Sequence, residues 1–179
     1  KEERSRAKAV NFGIVYGITD FGLAEQIGTT PNEASEIINA FYNTYPEIRD
    51  FLDSIISDVE TKGYVTTIFG RRRYLRDITD PNYAKREAAK RAALNAPIQG
   101  SAADLIKKAM LEVDSYLTNN HFKTKMVLQI HDELIFKVPD DELEIVVSKI
   151  KEIMENAVKL DVPLIVEEGH GQSWFDAKE

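Results

Sequence analysis

The sequence predicts an α+β fold, helical up to about residue 80 and mixed beyond it, with an antiparallel β-hairpin packed on helices. Three features predict it: a helix-capping signature at Thr30-Pro31-Asn32-Glu33, the helical spacing of Ile48, Phe51, Leu52, Ile55, Ile56 and Val59, and an apolar run from Val127 to Phe136 interrupted by His131-Asp132-Glu133. The first two are periodic or capped in the way helices are, and the third reads as two strands joined by a polar reversal.

Residues 4–15 read as the first helix, followed by Gly17, and a short helix near 21–27 is closed by Gly28. In the capping box the Thr30 hydroxyl serves the third helical amide while the Glu33 carboxylate returns to Thr30. Proline favours the first helical position, so a helix runs from Pro31 to about Tyr42. Pro46-Glu47 opens the next, which Gly63 ends. Tyr64 to Phe69, β-branched and aromatic, reads as a strand. Asp80-Pro81 starts a basic helix, and Ser101-Ala102-Ala103-Asp104 caps a separate long one reaching about Leu117. The hairpin flanks are rich in Val, Ile, Leu and Phe, so each reads as a buried strand. A helix from about Asp141 to Val158 and a strand near Leu164 to Glu167 complete the chain, which has no internal repeat.

At 179 residues, 43% hydrophobic and 30% charged, the chain can bury a core and reads as soluble and globular. No apolar stretch approaches the ~18 residues of a membrane span, so no membrane partner is expected. Zero cysteines exclude disulfides and zinc-thiolate sites and are compatible with a reducing cytosol. The chain lacks an initiator Met and opens within a charged helical pattern, Lys1-Glu2-Glu3-Arg4, which reads as a piece of something longer. Its net charge of −7 would argue against nucleic acid, but residues 62–110 hold eleven Lys or Arg against four acids, a balance of +7. Residues 111–179 balance to −8, and no arginine follows Arg91. Arginine is the fork-shaped phosphate binder, so a polyanion-facing surface is expected in the first half, with a solvated helix face as the alternative.

Arg4, Lys8, Phe12 and Tyr16 recur every four residues and therefore share one broad helix face. Two cations at a helix N-terminus oppose the helix dipole unless an anion joins them. Phosphate first and aromatic ring second is the order of a nucleoside triphosphate laid along the helix. The alternative is an amphipathic helix whose rings face a core. At the other end of the chain, Asp132 and Glu133 come together at the hairpin tip, where oxygen ligands suit Mg2+ rather than zinc. An acidic exposed turn is the plainer reading. Triphosphate beside Mg2+-binding carboxylates is the apparatus of phosphoryl or nucleotidyl transfer.

Arg4-x3-Lys8-x3-Phe12-x3-Tyr16-Gly17 resembles the finger-helix motif of family A DNA polymerases, and Gln129-Ile130-His131-Asp132-Glu133 resembles their second catalytic motif. Arg91-x3-Asn95-x3-Gln99-Gly100 is similar to the family's duplex-contacting segment, and Trp174 with the terminal Ala177-Lys178-Glu179 resembles its carboxyl end. The resemblance covers essentially the whole chain.

It implies fingers over residues 1–80 and the carboxyl part of a palm over 81–179. Arg4 and Lys8 would bind the incoming dNTP triphosphate, with Lys8 also serving catalysis. Phe12 would pack on base and sugar, and Tyr16 with Gly17 would sit near the templating position of the DNA. Arg91, Asn95 and Gln99 would line the duplex minor groove, where purine N3 and pyrimidine O2 accept hydrogen bonds in every Watson–Crick pair. His131 would neighbour the primer end, Asp132 would be a metal ligand and catalytic, and Glu133 an assisting catalytic carboxylate. Two Mg2+ ions, primer-template DNA, dNTPs and the upstream palm and thumb of the same protein are the implied partners, in a bacterial-type, nucleoid-associated cytoplasmic setting. Phe12, lacking a tyrosine hydroxyl, implies selection against dideoxynucleotides. His170 reads as a surface or packing residue, and Arg71-Arg72-Arg73 as a phosphate-contacting or bracing patch, or a solvated turn.

One family element is missing: the chain contains no Asp-Tyr-Ser-x-x-Glu motif, from which the family takes its other essential aspartate, and no thumb or exonuclease region. The expectation is therefore a polymerase in replication or repair as parent, and 179 isolated residues that catalyse nothing. A single-subunit RNA polymerase shares the plan but usually has serine after the His-Asp pair. A non-catalytic nucleic-acid-binding module would explain the +7 segment without metal.

Overall fold

The computed structural model describes residues 2–178 and gives α1 (Glu2–Val15), α2 (Asp20–Ile27), α3 (Pro31–Thr44) and α4 (Pro46–Lys62). Local caps set α2, α3 and α4. Lys1 and Glu179, the ends of the charged opening and of the carboxyl-terminal likeness, lie outside the described residues. Thr30 and Glu33 form the expected capping box on α3, and left-handed Gly28 and Gly63 close α2 and α4.

The chain falls into two compact units divided between Ser101 and Ala102. In the first, α1 to α3 gather Leu23, Ala24 and Ala34 with Val10, Ile18, Ile37 and Ile38 around them. A second cluster joins Leu52, Ile55 and Val59 of α4 to Val65, Ala89, Ala93 and Leu94.

The strand expected over Tyr64–Phe69 is shorter. β1 spans Tyr64–Thr66 and pairs antiparallel with β2 (Arg72–Tyr74), a strand that charge and brevity hide in the sequence. Between them the chain reverses, with the Gly70 amide donating to the Thr67 carbonyl at 2.9 Å and Gly70 left-handed at φ 79°. A glycine takes that left-handed conformation without the strain a Cβ would bring.

Two helix starts also differ from expectation. The basic helix begins at Tyr83, not at Asp80-Pro81, because the Asn82 side chain accepts the amides of Ala84 and Lys85 while Asp80 accepts that of Asn82. Nor does Ser101 cap a new helix: α5 runs unbroken from Tyr83 to Asn119 through Pro97. The Ser101 hydroxyl donates to the Pro97 carbonyl and accepts the Ile68 amide at 3.0 Å, so it is occupied inside the helix and across to the β1–β2 turn.

In the second unit, β3 (Lys125–Ile130) and β4 (Glu133–Lys137) form the expected hairpin, with α6 (Leu143–Glu155) after it. Met126 and Phe136 pack on Val113 and Leu117 of α5 and on Val146 and Ile150 of α6, so the hairpin does lie on helices. The strands themselves are not buried, however: Val127 is 56% exposed. Alternate residues point to opposite faces, and one face of the pair carries its apolar side chains outward. The strand expected near Leu164–Glu167 is irregular, with Ile165 80% exposed, because no strand among the described residues offers it a ladder. The Val166 amide instead donates to the Glu155 carboxylate at 3.1 Å. The α+β class stands. Among the described residues no helix is long and apolar enough to cross a membrane.

Candidate functional site

α1 divides its residues by face. Ile14 is 1% exposed and Val10 joins the Leu23 cluster, so these carry the packing. Arg4, Lys8 and Phe12 are exposed, with Phe12 at 51%. The alternative of rings turned to a core therefore fails for Phe12, while Tyr16 is half-buried. Lys8 Nζ stands 5.8 Å from the centroid of the Phe12 ring, and the Phe12 and Tyr16 rings lie 6.1 Å apart at 36°. The cation lies over the exposed Phe12 ring on α1, and the half-buried Tyr16 ring follows just past the helix end.

This face of α1 ends where the chain meets α5. Gly17 is left-handed at φ 71°, and a Cβ placed there would come within 2.8 Å of Leu94 Cδ1 and 3.8 Å of Arg91 Cγ. The structure thus brings Tyr16-Gly17 beside Arg91, the first of the minor-groove candidates. Arg91, Asn95 and Gln99 follow at four-residue steps, about 40° apart around the helix, opposite the buried Ala89, Ala93 and Ala96. Arg91 and Gln99 are exposed; Asn95 is half-buried, and its Oδ1 has no hydrogen-bond partner among the described residues. A buried acceptor left unmet costs about 1–3 kcal/mol, a cost that Asn95 carries on the α5 face shared with Arg91 and Gln99.

Gln99 borders a cleft of about 80 Å³ shared with Thr66, Thr67, Arg71, Arg73 and Gly100. The arginine run separates into distinct roles. Arg71 donates to the Gly100 carbonyl at 3.1 Å, bracing the β1–β2 turn on α5, and the Arg72 guanidinium lies 4.6 Å from the centroid of Tyr64. Gly100 leaves no space for a side chain, since a Cβ would meet Thr67 Cγ2 at 2.7 Å. Bracing was one of the roles expected of the run, and Arg71 makes such a contact across 29 positions of sequence.

In the second unit, Ile130 pairs with Glu133, leaving His131 and Asp132 as a two-residue turn. All three acidic-turn residues, His131, Asp132 and Glu133, are exposed, and His131 is left-handed at φ 52°. That conformation is uncommon for a residue with a Cβ, and the Gln129 side-chain Nε2 donates to the His131 carbonyl there. Gln129 was visible only as part of the motif; its supporting role appears with the turn. Among the described residues no group of three His, Cys, Asp or Glu side chains is placed to hold a metal. His170 is exposed.

The family profile described as "DNA polymerase family A" matches residues 1–176. Among curated proteins, DNA polymerase I of Geobacillus stearothermophilus is 48% identical over 175 residues, 98% of this chain and 20% of its own length. DNA polymerase I of Bacillus subtilis (strain 168) is 46% identical with the same coverage. Among solved structures, the POL domain of Pol1 from M. smegmatis, in complex with DNA primer-template and dNTP, matches with a TM-score of 0.95 and 42% identity, over 98% of this chain and 31% of that one. The chain spans about a fifth of the length of the curated relatives it matches.

Proposed function

The chain belongs to DNA polymerase family A, and from that premise we propose that it is the fingers and carboxyl palm part of a DNA-directed DNA polymerase adding dNTPs to a primer 3′ end. The observation that carries the reading is the exposed face of α1, on which Arg4 and Lys8 precede Phe12, with half-buried Tyr16 just past the helix end, while Val10 and Ile14 do the packing. Cations that oppose their own helix dipole gain a partner when a triphosphate arrives, and Phe12 then supplies a plane for base and sugar. Tyr16 and Gly17 stand at the template, and Arg91, Asn95 and Gln99 test base-pair shape along the minor groove without reading sequence. His131 faces the primer end. Residues 1–80 act as fingers and 81–179 as palm, in a cytoplasmic, nucleoid-associated enzyme of replication or repair whose upstream palm and thumb complete the cleft.

Asp132 and Glu133 are an all-oxygen donor pair, which fits Mg2+ and not a thiolate-seeking ion. With no third ligating side chain beside them among the described residues, Asp132 is one ligand of a shared site and Glu133 an assisting carboxylate. Bound Mg2+, two ions in the complete enzyme, supplies charge neutralisation at the transferring phosphate. Lys8 adds its own positive charge at the triphosphate, and Arg4 fixes its position.

Kinetics of the polymerase containing this segment test the reading. Lys8→Ala removes charge-assisted contacts of about 1.5–3 kcal/mol, roughly a 10- to 150-fold loss in kcat/KM for dNTP. Asp132→Ala abolishes extension while primer-template binding persists. Extension unchanged by Asp132→Ala, with duplex binding indifferent to dNTP, would instead leave a non-catalytic nucleic-acid-binding module.

A further inference from the structure

Resting on the polymerase reading, we propose that Arg73 anchors a backbone phosphate of the same duplex whose minor-groove edge Gln99 reads, making a charge contact beside the base-pair check. The geometry begins with the β1–β2 ladder. Val65 pairs with Arg73, and Tyr64 and Thr66 pair with Tyr74 and Arg72. Directly opposed residues share a face, so Arg73 belongs to the face of buried Val65, which packs with Ala93, Leu94 and Ala96 of α5, whereas Arg72 belongs to the other.

The three consecutive arginines are therefore not equivalent. Arg71 is held by the Gly100 carbonyl, and Arg72 lies over Tyr64 on the far face. Arg73 is exposed, has no hydrogen-bond or ion-pair partner for its guanidinium among the described residues, and lines the same cleft as Gln99. At about 80 Å³ the cleft has several times the room one water needs. Thr66 and Thr67 also line it, and among the described lining residues the charged side chains are Arg71 and Arg73, both positive. A glutamine reaching a base edge in the minor groove has sugar-phosphate backbone on either side of it, and an arginine fork at the next position of the cleft suits a phosphate oxygen pair.

Equilibrium binding of the polymerase to matched and terminally mismatched primer-templates, measured across salt concentrations, tests the proposal. Each phosphate contact contributes about 0.9 to the slope of log K against log salt. Arg73→Ala is expected to reduce the slope by about one and weaken both duplexes by the same factor, with Arg73→Lys retaining most of the slope. Gln99→Ala is expected to leave the slope intact and narrow the gap between matched and mismatched ends. An unchanged slope in Arg73→Ala, or an equal loss in Arg72→Ala, overturns the contact while extension by the same preparations leaves the polymerase reading standing. Absence of both primer-template binding and extension in the unmutated protein overturns the polymerase reading and this proposal with it.

Discussion

Phe12 offers a half-exposed ring that no core contact needs, so a hydroxyl can be added to it without cost to packing. Phe12→Tyr in the polymerase is expected to raise the ratio of dideoxynucleotide to deoxynucleotide incorporation at unchanged thermal stability; an unchanged ratio rejects the role given to this ring. Gly17 is the contrasting case. Its left-handed φ and the 2.8 Å approach of Leu94 mean that Gly17→Ala brings both backbone strain and overlap. A loss of about 1–3 kcal/mol in denaturant unfolding is expected, and a neutral result would show that Leu94 can retreat. Such residues divide by what the sequence can reveal. The four-residue spacing of Arg4, Lys8, Phe12 and Tyr16 is visible in the chain itself, since α1 presents the first three and Tyr16 follows directly after its end. The Arg71 brace, the orphan oxygen of Asn95 and the Gln129 support under His131 depend on neighbours brought close only by folding.

At the scale of elements, the start of β3 and the start of α6 are joined through one carboxylate. Glu142 accepts the Lys123 amide at 2.8 Å, the Thr124 amide at 2.9 Å and the Thr124 hydroxyl at 2.7 Å. Burial alone would push this carboxyl up, but those donations outweigh it and hold the group below its ordinary 4.5. A depressed folded value places the stabilisation above 4.5, and it is lost as pH falls from there through the lowered folded value. Hydrogen exchange at the Thr124 amide is expected to accelerate in that window beyond its intrinsic pH dependence. Glu142→Gln is expected to remove the extra pH dependence, and its persistence would place the titrating group elsewhere. The pattern of success among elements has the same logic. Helices α2, α3 and α4 were legible because their stop and start signals lie within a few residues: Gly28, the Thr30 box and Gly63. α5 was split in two because Pro97 and Ser101 carry local stop and start signals, yet Ser101 makes its bonds to Pro97 and Ile68 within a continuous helix. The strand expected at Leu164–Glu167 failed for the converse reason, since apolar alternation gives a strand's composition but not its partner.

Over the whole molecule, the proposed function gives the positive segment and the acidic turn different halves of one chemistry. Residues 62–110, at +7, and the α1 cations can attract polyanions without any metal, because phosphate affinity of this kind comes from counterion release. Nucleotidyl transfer asks for more. Two-metal transfer draws on carboxylates from more than one segment, and Asp132 and Glu133, with no third ligating group beside them among the described residues, would supply only part of such a site. A preparation of these 179 residues alone is therefore expected to show weak, salt-sensitive binding of dNTP and duplex, with Lys8→Ala lowering the former, and no extension of a primer at any Mg2+ concentration. Binding without turnover is the informative combination, since an unfolded chain would show neither. Templated extension by the 179 residues, abolished by Asp132→Ala, would mean that the carboxylates present suffice and that the shared-site assignment of Asp132 is wrong.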